Sequence, residues 1–158
     1  MTFDLYSIVK TVHVISATVL FGTGLGIAFF FFCAHRSMDL AARLFAARTT
    51  VIADFAFTLP AVVVQPVSGA WLIYLSGSTG TETWLVVTYV LYFVAGLCWI
   101  PVVWIQIRLR ALLRNAAANK TALPNSYERL FRWWFALGWP AFTALVIVFF
   151  LMVLKPSW

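Results

Sequence analysis

The sequence predicts an all-α polytopic membrane protein: an antiparallel bundle of four transmembrane helices with both termini outside. Three observations predict it. Of 158 residues, 63% are hydrophobic and 10% are charged, and the mean hydropathy is +0.95. A soluble domain carries about 25% charged residues, so a chain this apolar needs lipid as its solvent. Second, the apolar runs are about 20 residues or longer, the length a helix needs to cross a bilayer, and do not alternate in segments of about ten as barrel strands do. Third, the basic residues are segregated. Arg36, Arg43, Arg48, Arg108, Arg110, Arg114, Lys120, Arg129 and Arg132 fall in connections 35–49 and 108–132, and Lys10 and Lys155 fall on the other side. The positive-inside rule places those two connections in the cytoplasm. The net charge of +6 is then an orientation signal and a contact for anionic lipid, with no nucleic acid implied.

The whole chain, 1–158, reads as one integral membrane domain with helices at about 5–34, 50–75, 84–118 and 126–154. Residues 1–4 and 155–158 are short tails. The first run could be mistaken for a signal peptide, but it is too long, lacks a basic leader and has no small-residue cleavage site, so a retained span is expected. It carries Lys10 and His13 with Ala17, Leu20, Gly24 and Ile27 on one face, and Ser16 at the edge of that face. Small residues such as Gly22, Gly24 and Gly26 let a neighbouring helix or a flat ligand come close.

Span two holds Asp54, Pro60, Gln65 and Pro66. Asp54, Thr58, Ala61, Gln65, Ser68 and Leu72 recur at helical spacing and form a second polar stripe. Each proline removes a backbone hydrogen bond, which frees carbonyls near Ala56 and Val62 for a partner in the bundle. Asp54 either lies in the membrane interior or sits shallow and pairs with Arg48 or Arg43. Residues 76–83 form a turn. Span three places Tyr89, Tyr92, Gly96 and Trp99 roughly on one side, and Pro101 should bend it. Asn125 followed by Glu128 reads as the cap of the last helix. Trp71 and Trp84 fall near the outer interface, and Trp133 and Trp134 near the inner one, as an aromatic belt. Cys33 and Cys98 read as small buried hydrophobes.

An ionisable residue inside a span is a functional candidate by default. His13 lies at the depth of Gln65 to Trp71 in span two and of Tyr89 to Tyr92 in span three. A haem pocket needs an imidazole, a flat apolar slot and small residues. The expected cofactor-binding set is therefore His13 as iron ligand and Lys10 near a propionate, with Gly24, Gln65, Tyr89, Tyr92 and Trp99 around the ring. His35 is too far along the helix, roughly 33 Å, to be a second ligand within the chain. The sixth position is then open, filled by another residue type, or filled by His13 of a second copy. Asp54 and Gln65 are the polar intramembrane pair.

The run Lys10 to His13 with the glycines after it, the stretches Thr58–Leu72 and Phe131–Phe142, and the closing Leu154-Lys155-Pro156 resemble a bacterial family of predicted integral membrane proteins. More distantly, the Lys-x-x-His of span one, the Pro and Gly-x-x-Leu of span two and the terminal Val-x-Lys-Pro resemble the HemJ type of protoporphyrinogen oxidase. That resemblance implies a four-helix protein of the bacterial cytoplasmic (inner) membrane, with haem b held by the span-one histidine, here His13. The chain departs from that type late in span one, where Phe29 to Cys33 stand in place of a Pro-Arg pair.

Three functions follow as expectations. The first is a haem-b protein with a redox or haem-metabolism role. The second is a non-enzymatic subunit of a larger membrane complex. The third is a small transporter component, working as a homodimer or larger homo-oligomer, that uses Asp54 and Gln65. No phosphate loop, nucleophile elbow or zinc motif is present.

Overall fold

A computed structural model describes residues 4–156. The other residues of the two expected tails, Met1 to Phe3 and Ser157 to Trp158, lie outside the described residues. The chain runs α1 (Leu5–Arg36), α2 (Leu40–Ala53), a π-turn (Asp54–Thr58), α3 (Leu59–Ser76), α4 (Thr83–Asn119) and α5 (Asn125–Leu154). Helix α2, the π-turn and α3 form one continuous rod. Four rods are thus long and apolar enough to cross a membrane. They are antiparallel: His13 meets Ser68 at one end of the first pair, and His35 meets Arg43 at the other.

Capping explains most of the boundaries. Asp4, expected in a tail, is the N-cap of α1, and its side chain accepts from the Ser7 amide at 2.9 Å. The expected polar connection 35–49 is corrected: span two begins at Leu40, ten residues earlier than expected. Asp39 caps it by accepting from the Ala41 and Ala42 amides, and LAARLFAAR is rich in strong helix formers. Asn125 is not the cap of α5. Pro124 takes that position without a side-chain hydrogen bond, and its fixed φ suits a helix entrance. Gly77 ends α3 at φ +67°, a left-handed conformation that favours glycine.

Large side chains are buried at one end. Phe31, Ile105, Leu109, Leu113, Tyr127, Phe131 and Trp134 share one core with Ala46, Ala47 and Val102. This is the basic end. Trp134, expected in the aromatic belt, belongs to this core, edge-on to Phe31 at 5.0 Å. Trp133 beside it is exposed, as a belt residue should be. Toward the other end the buried residues are mostly small: Ser16, Ala61, Ser68, Thr88, Ala95 and Ala144. There α3 packs along α1, and α4 along α5, whereas α3 has no comparable packing on α4 or α5.

Three further expectations are corrected. Cys33 is exposed and Cys98 half-buried; neither is enclosed by the bundle, and in a membrane such positions face lipid. A Cβ placed on Gly22, Gly24 or Gly26 would meet open space, so these glycines admit no neighbouring helix of the same chain. Asp54 is enclosed by protein side chains, and its alternative pairing with Arg43 or Arg48 is not formed. Arg43 instead turns both Nε and Nη2 to the His35 carbonyl, at 3.1 and 2.6 Å, and lies over the Tyr127 ring.

Candidate functional site

The polar stripe of span two is the inward face of its rod. Asp54, Thr58, Ala61 and Ser68 are buried on it, and Gln65 and Leu72 half-buried. Ser68 and Gln65 reach across to α1 at His13. Ser68 Oγ lies 2.6 Å from the Val64 carbonyl and 2.8 Å from His13 Nδ1. A hydroxyl has one proton to give. With the serine proton on Val64, the ring proton falls on Nδ1 and the lone pair on Nε2; with the serine proton on Nδ1, the two exchange. Gln65 Nε2 donates to the His13 carbonyl at 2.7 Å and also to Ser16 Oγ. The ring lies against Gly69, where a Cβ would come within 3.4 Å of His13 Cε1. Ser68 and Gly69 therefore hold the imidazole itself, while Gln65 and Ser16 hold the backbone carbonyl of His13.

The structure brings His13 and Gln65 together and distributes the other expected residues differently. Tyr92 donates to the Val62 carbonyl at 2.7 Å. That carbonyl is the one Pro66 leaves without its helical donor, so its expected partner comes from α4. Tyr89 lies at the loop between α3 and α4, 3.4 Å from the Gly80 carbonyl. Lys10 is exposed and near the Tyr6 ring. Gly24 is exposed, three turns from His13.

Trp99 belongs to a second polar group, around Asp54. Thr58, Trp99 and Gln106 surround the Asp54 carboxyl, and Asp54, Thr58 and Gln106 are each at least 96% buried. Yet Asp54 Oδ2, Thr58 Oγ1, Trp99 Nε1 and Gln106 Oε1 all lack a hydrogen bond of normal geometry. Asp54 opens the π-turn, where its carbonyl accepts from the Leu59 amide. The wider turn precedes Pro60, which has no amide proton to offer Ala56. π-turns occur often at functional sites. Trp99 can only donate and the Gln106 oxygen can only accept, so this set suits a carboxyl group with a bridging water better than a bare cation. Sequence reasoning missed Gln106, although a lone amide within an apolar run was its signal. Asp54 and Gln65 sit on one stripe but serve different groups.

No cluster of three metal-ligating side chains occurs among the described residues. Long apolar rods, small inward residues and polar groups held between helices define an integral membrane protein built as a four-helix bundle. The chain belongs to the family described as predicted integral membrane protein (DUF2269), whose model matches residues 7–156. This is the kind of family that the Lys10–His13 and Phe131–Phe142 stretches led one to expect. No curated protein and no solved structure matches the chain.

Proposed function

We propose that this protein binds haem b through His13 Nε2 and serves a redox or haem-metabolism role in a bacterial inner membrane. One observation carries the reading. The Ser68 hydroxyl lies 2.8 Å from His13 Nδ1 and 2.6 Å from the Val64 carbonyl, an arrangement in which the serine can accept the Nδ1 proton's hydrogen bond and leave Nε2 to a ligand. A histidine bound to iron through Nε2 needs that tautomer, and a hydrogen-bond acceptor at its other nitrogen fixes its orientation and raises its basicity. Gly69 lets the ring lie close against α3, and Lys10, on the same helix, has no carboxylate partner among the described residues. The distant resemblance to the HemJ type is a further support. Bound haem would supply one-electron exchange at its iron. The chain's part is to present the imidazole, to orient it through Ser68 at Nδ1 and through Gln65 at the His13 carbonyl, and to offer Lys10 to a carboxylate. Tyr92 and Trp99 are committed elsewhere, so the ring contacts fall to other apolar residues of the spans.

The test is the absorption spectrum of protein purified from haem-replete cells. A Soret band is expected, absent in His13→Ala and retained in His35→Ala. Ser68→Ala should weaken haem retention about 10- to 100-fold. A colourless wild-type preparation rejects the reading.

A second reading, a subunit that packs against another chain, draws on the open space at Gly22, Gly24 and Gly26. Helices approach closely at such residues. Gly24→Leu should then disrupt an assembly seen by cross-linking in membranes, and a chain that never cross-links in its native membrane counts against it.

A further inference from the structure

The basic end carries a groove between α1 and α5 of about 440 Å³, floored by aromatic rings and rimmed by charge. Phe32 and Phe135 stack across it with centroids 5.6 Å apart. Arg36 stands one turn beyond Phe32 toward the helix end, and Arg132 stands one turn beyond Phe135 on the antiparallel partner. Both helices therefore present the same order along the membrane normal: phenylalanine toward the bilayer, arginine toward water. The Arg36 guanidinium rests over the Phe32 ring at 5.8 Å, which leaves its N–H edge free.

The charges in the groove are unbalanced. Neither arginine has a carboxylate partner among the described residues. Glu128 also lines the groove, but its Oε2 faces His35 Nε2 at 3.7 Å, and His35 is stacked face to face on Phe131. With His35 neutral, two guanidinium groups and one carboxylate leave one positive charge, the complement of one phosphodiester. A second groove, lined by Arg129, Arg132, Trp133 and Ala136, adjoins the first through Arg132. Exposed Trp133 marks the level of the headgroups.

We infer that this groove is a binding site for an anionic phospholipid, with Arg36 and Arg132 on the phosphate and Phe32 and Phe135 against the acyl chains. A zwitterionic lipid would leave the net positive charge unpaired. A free phosphate would leave the stacked phenylalanines without a partner. The inference does not depend on haem, because the groove lies at the opposite end of α1 from His13.

The experiment uses the full chain in mild detergent, equilibrated with an equimolar mixture of phosphatidylglycerol, phosphatidylethanolamine and phosphatidylcholine of matched chain length. Lipid retained per protein is read by native mass spectrometry. Phosphatidylglycerol should be retained preferentially. Arg36→Gln and Arg132→Gln should each lower that retention about fivefold, from about 1 kcal/mol per basic residue at an anionic surface. Arg48→Gln with Arg114→Gln, which removes two exposed charges elsewhere, should leave it unchanged. Phe135→Ala, which keeps both arginines, should lower retention of whole lipid, whereas millimolar inorganic phosphate should displace none. Equal retention of the three lipids by the wild type overturns the site, a result that needs no variant to fold. An equal loss in the Arg48/Arg114 control also overturns it, as does displacement by phosphate.

Discussion

Single side chains here do work that can be isolated by substitution. Lys120 closes α4 at φ +52°, a region costly for any residue with a Cβ. Lys120→Gly should stabilise the fold by about 1 kcal/mol, read by thermal unfolding in detergent. Asp54 makes the opposite kind of case. Its unpaired oxygen is a liability in a buried place, so Asp54→Leu should leave stability unchanged or raise it by about 1 to 2 kcal/mol, even if function is lost. A fall of several kcal/mol would mean that the carboxyl is a structural anchor. Asp4 titrates outside the spans. Hydrogen bonds from the Ser7 hydroxyl and the Ser7 amide hold its carboxyl below the ordinary 3.8. The charged form is the one stabilised by folding, so the cap is fully formed above pH 3.8 and fails as pH falls through the lowered value. The Ser7 amide shift in an NMR titration should follow that step, and Asp4→Asn should abolish it.

At the scale of the helix, span two shows what sequence can and cannot deliver. The spacing Asp54, Thr58, Ala61, Gln65, Ser68, Leu72 fixed its inward face, and the same spacing paired it with His13 at the correct depth. Pro66 identified Val62 as a carbonyl in need of a donor, but no rule of sequence named Tyr92, which lies 30 residues away. That pair makes a thermodynamic cycle. Tyr92→Phe should cost about 1 to 3 kcal/mol, by stranding a buried carbonyl. Pro66→Ala restores the helical donor, so the double variant should recover most of that loss. Strict additivity would show that the tyrosine bond carries no stability. The π-turn was not legible, because apolar periodicity does not distinguish a turn of one extra residue from the α-helix around it. Residues 40–49 were misread because polar side chains on an amphipathic helix look like a loop when the helix extends beyond lipid. Trp99 was placed on the correct helix but against the wrong partner, since a wheel gives direction and not depth.

For the whole molecule, the burial pattern follows the solvent. Rods of 37 residues extend about 55 Å, against a hydrocarbon core of about 30 Å. The other two rods, of 32 and 30 residues, reach about 48 and 45 Å, so all four protrude, and the two longest carry most of the excess at the basic end. There Leu109, Leu113 and Tyr127 lie past the level of Phe32 and Phe135, and water drives their burial as in a soluble protein. Within lipid no such force operates between helices, so the contacts become small residues and hydrogen bonds such as His13 to Ser68. Backbone amide exchange should record this division, with the slowest amides around Leu109 and Leu113 and faster opening around Ala61 and Thr88.

The aromatic knot at the wetted end has a practical corollary for anyone who extracts the protein. Detergent replaces the acyl chains along the spans but leaves the water around Leu113 and Tyr127 as it was. Loosening should therefore begin at Tyr92 and His13 and travel toward Tyr127, so that harsh solubilisation strips the imidazole of its serine long before the rods part company.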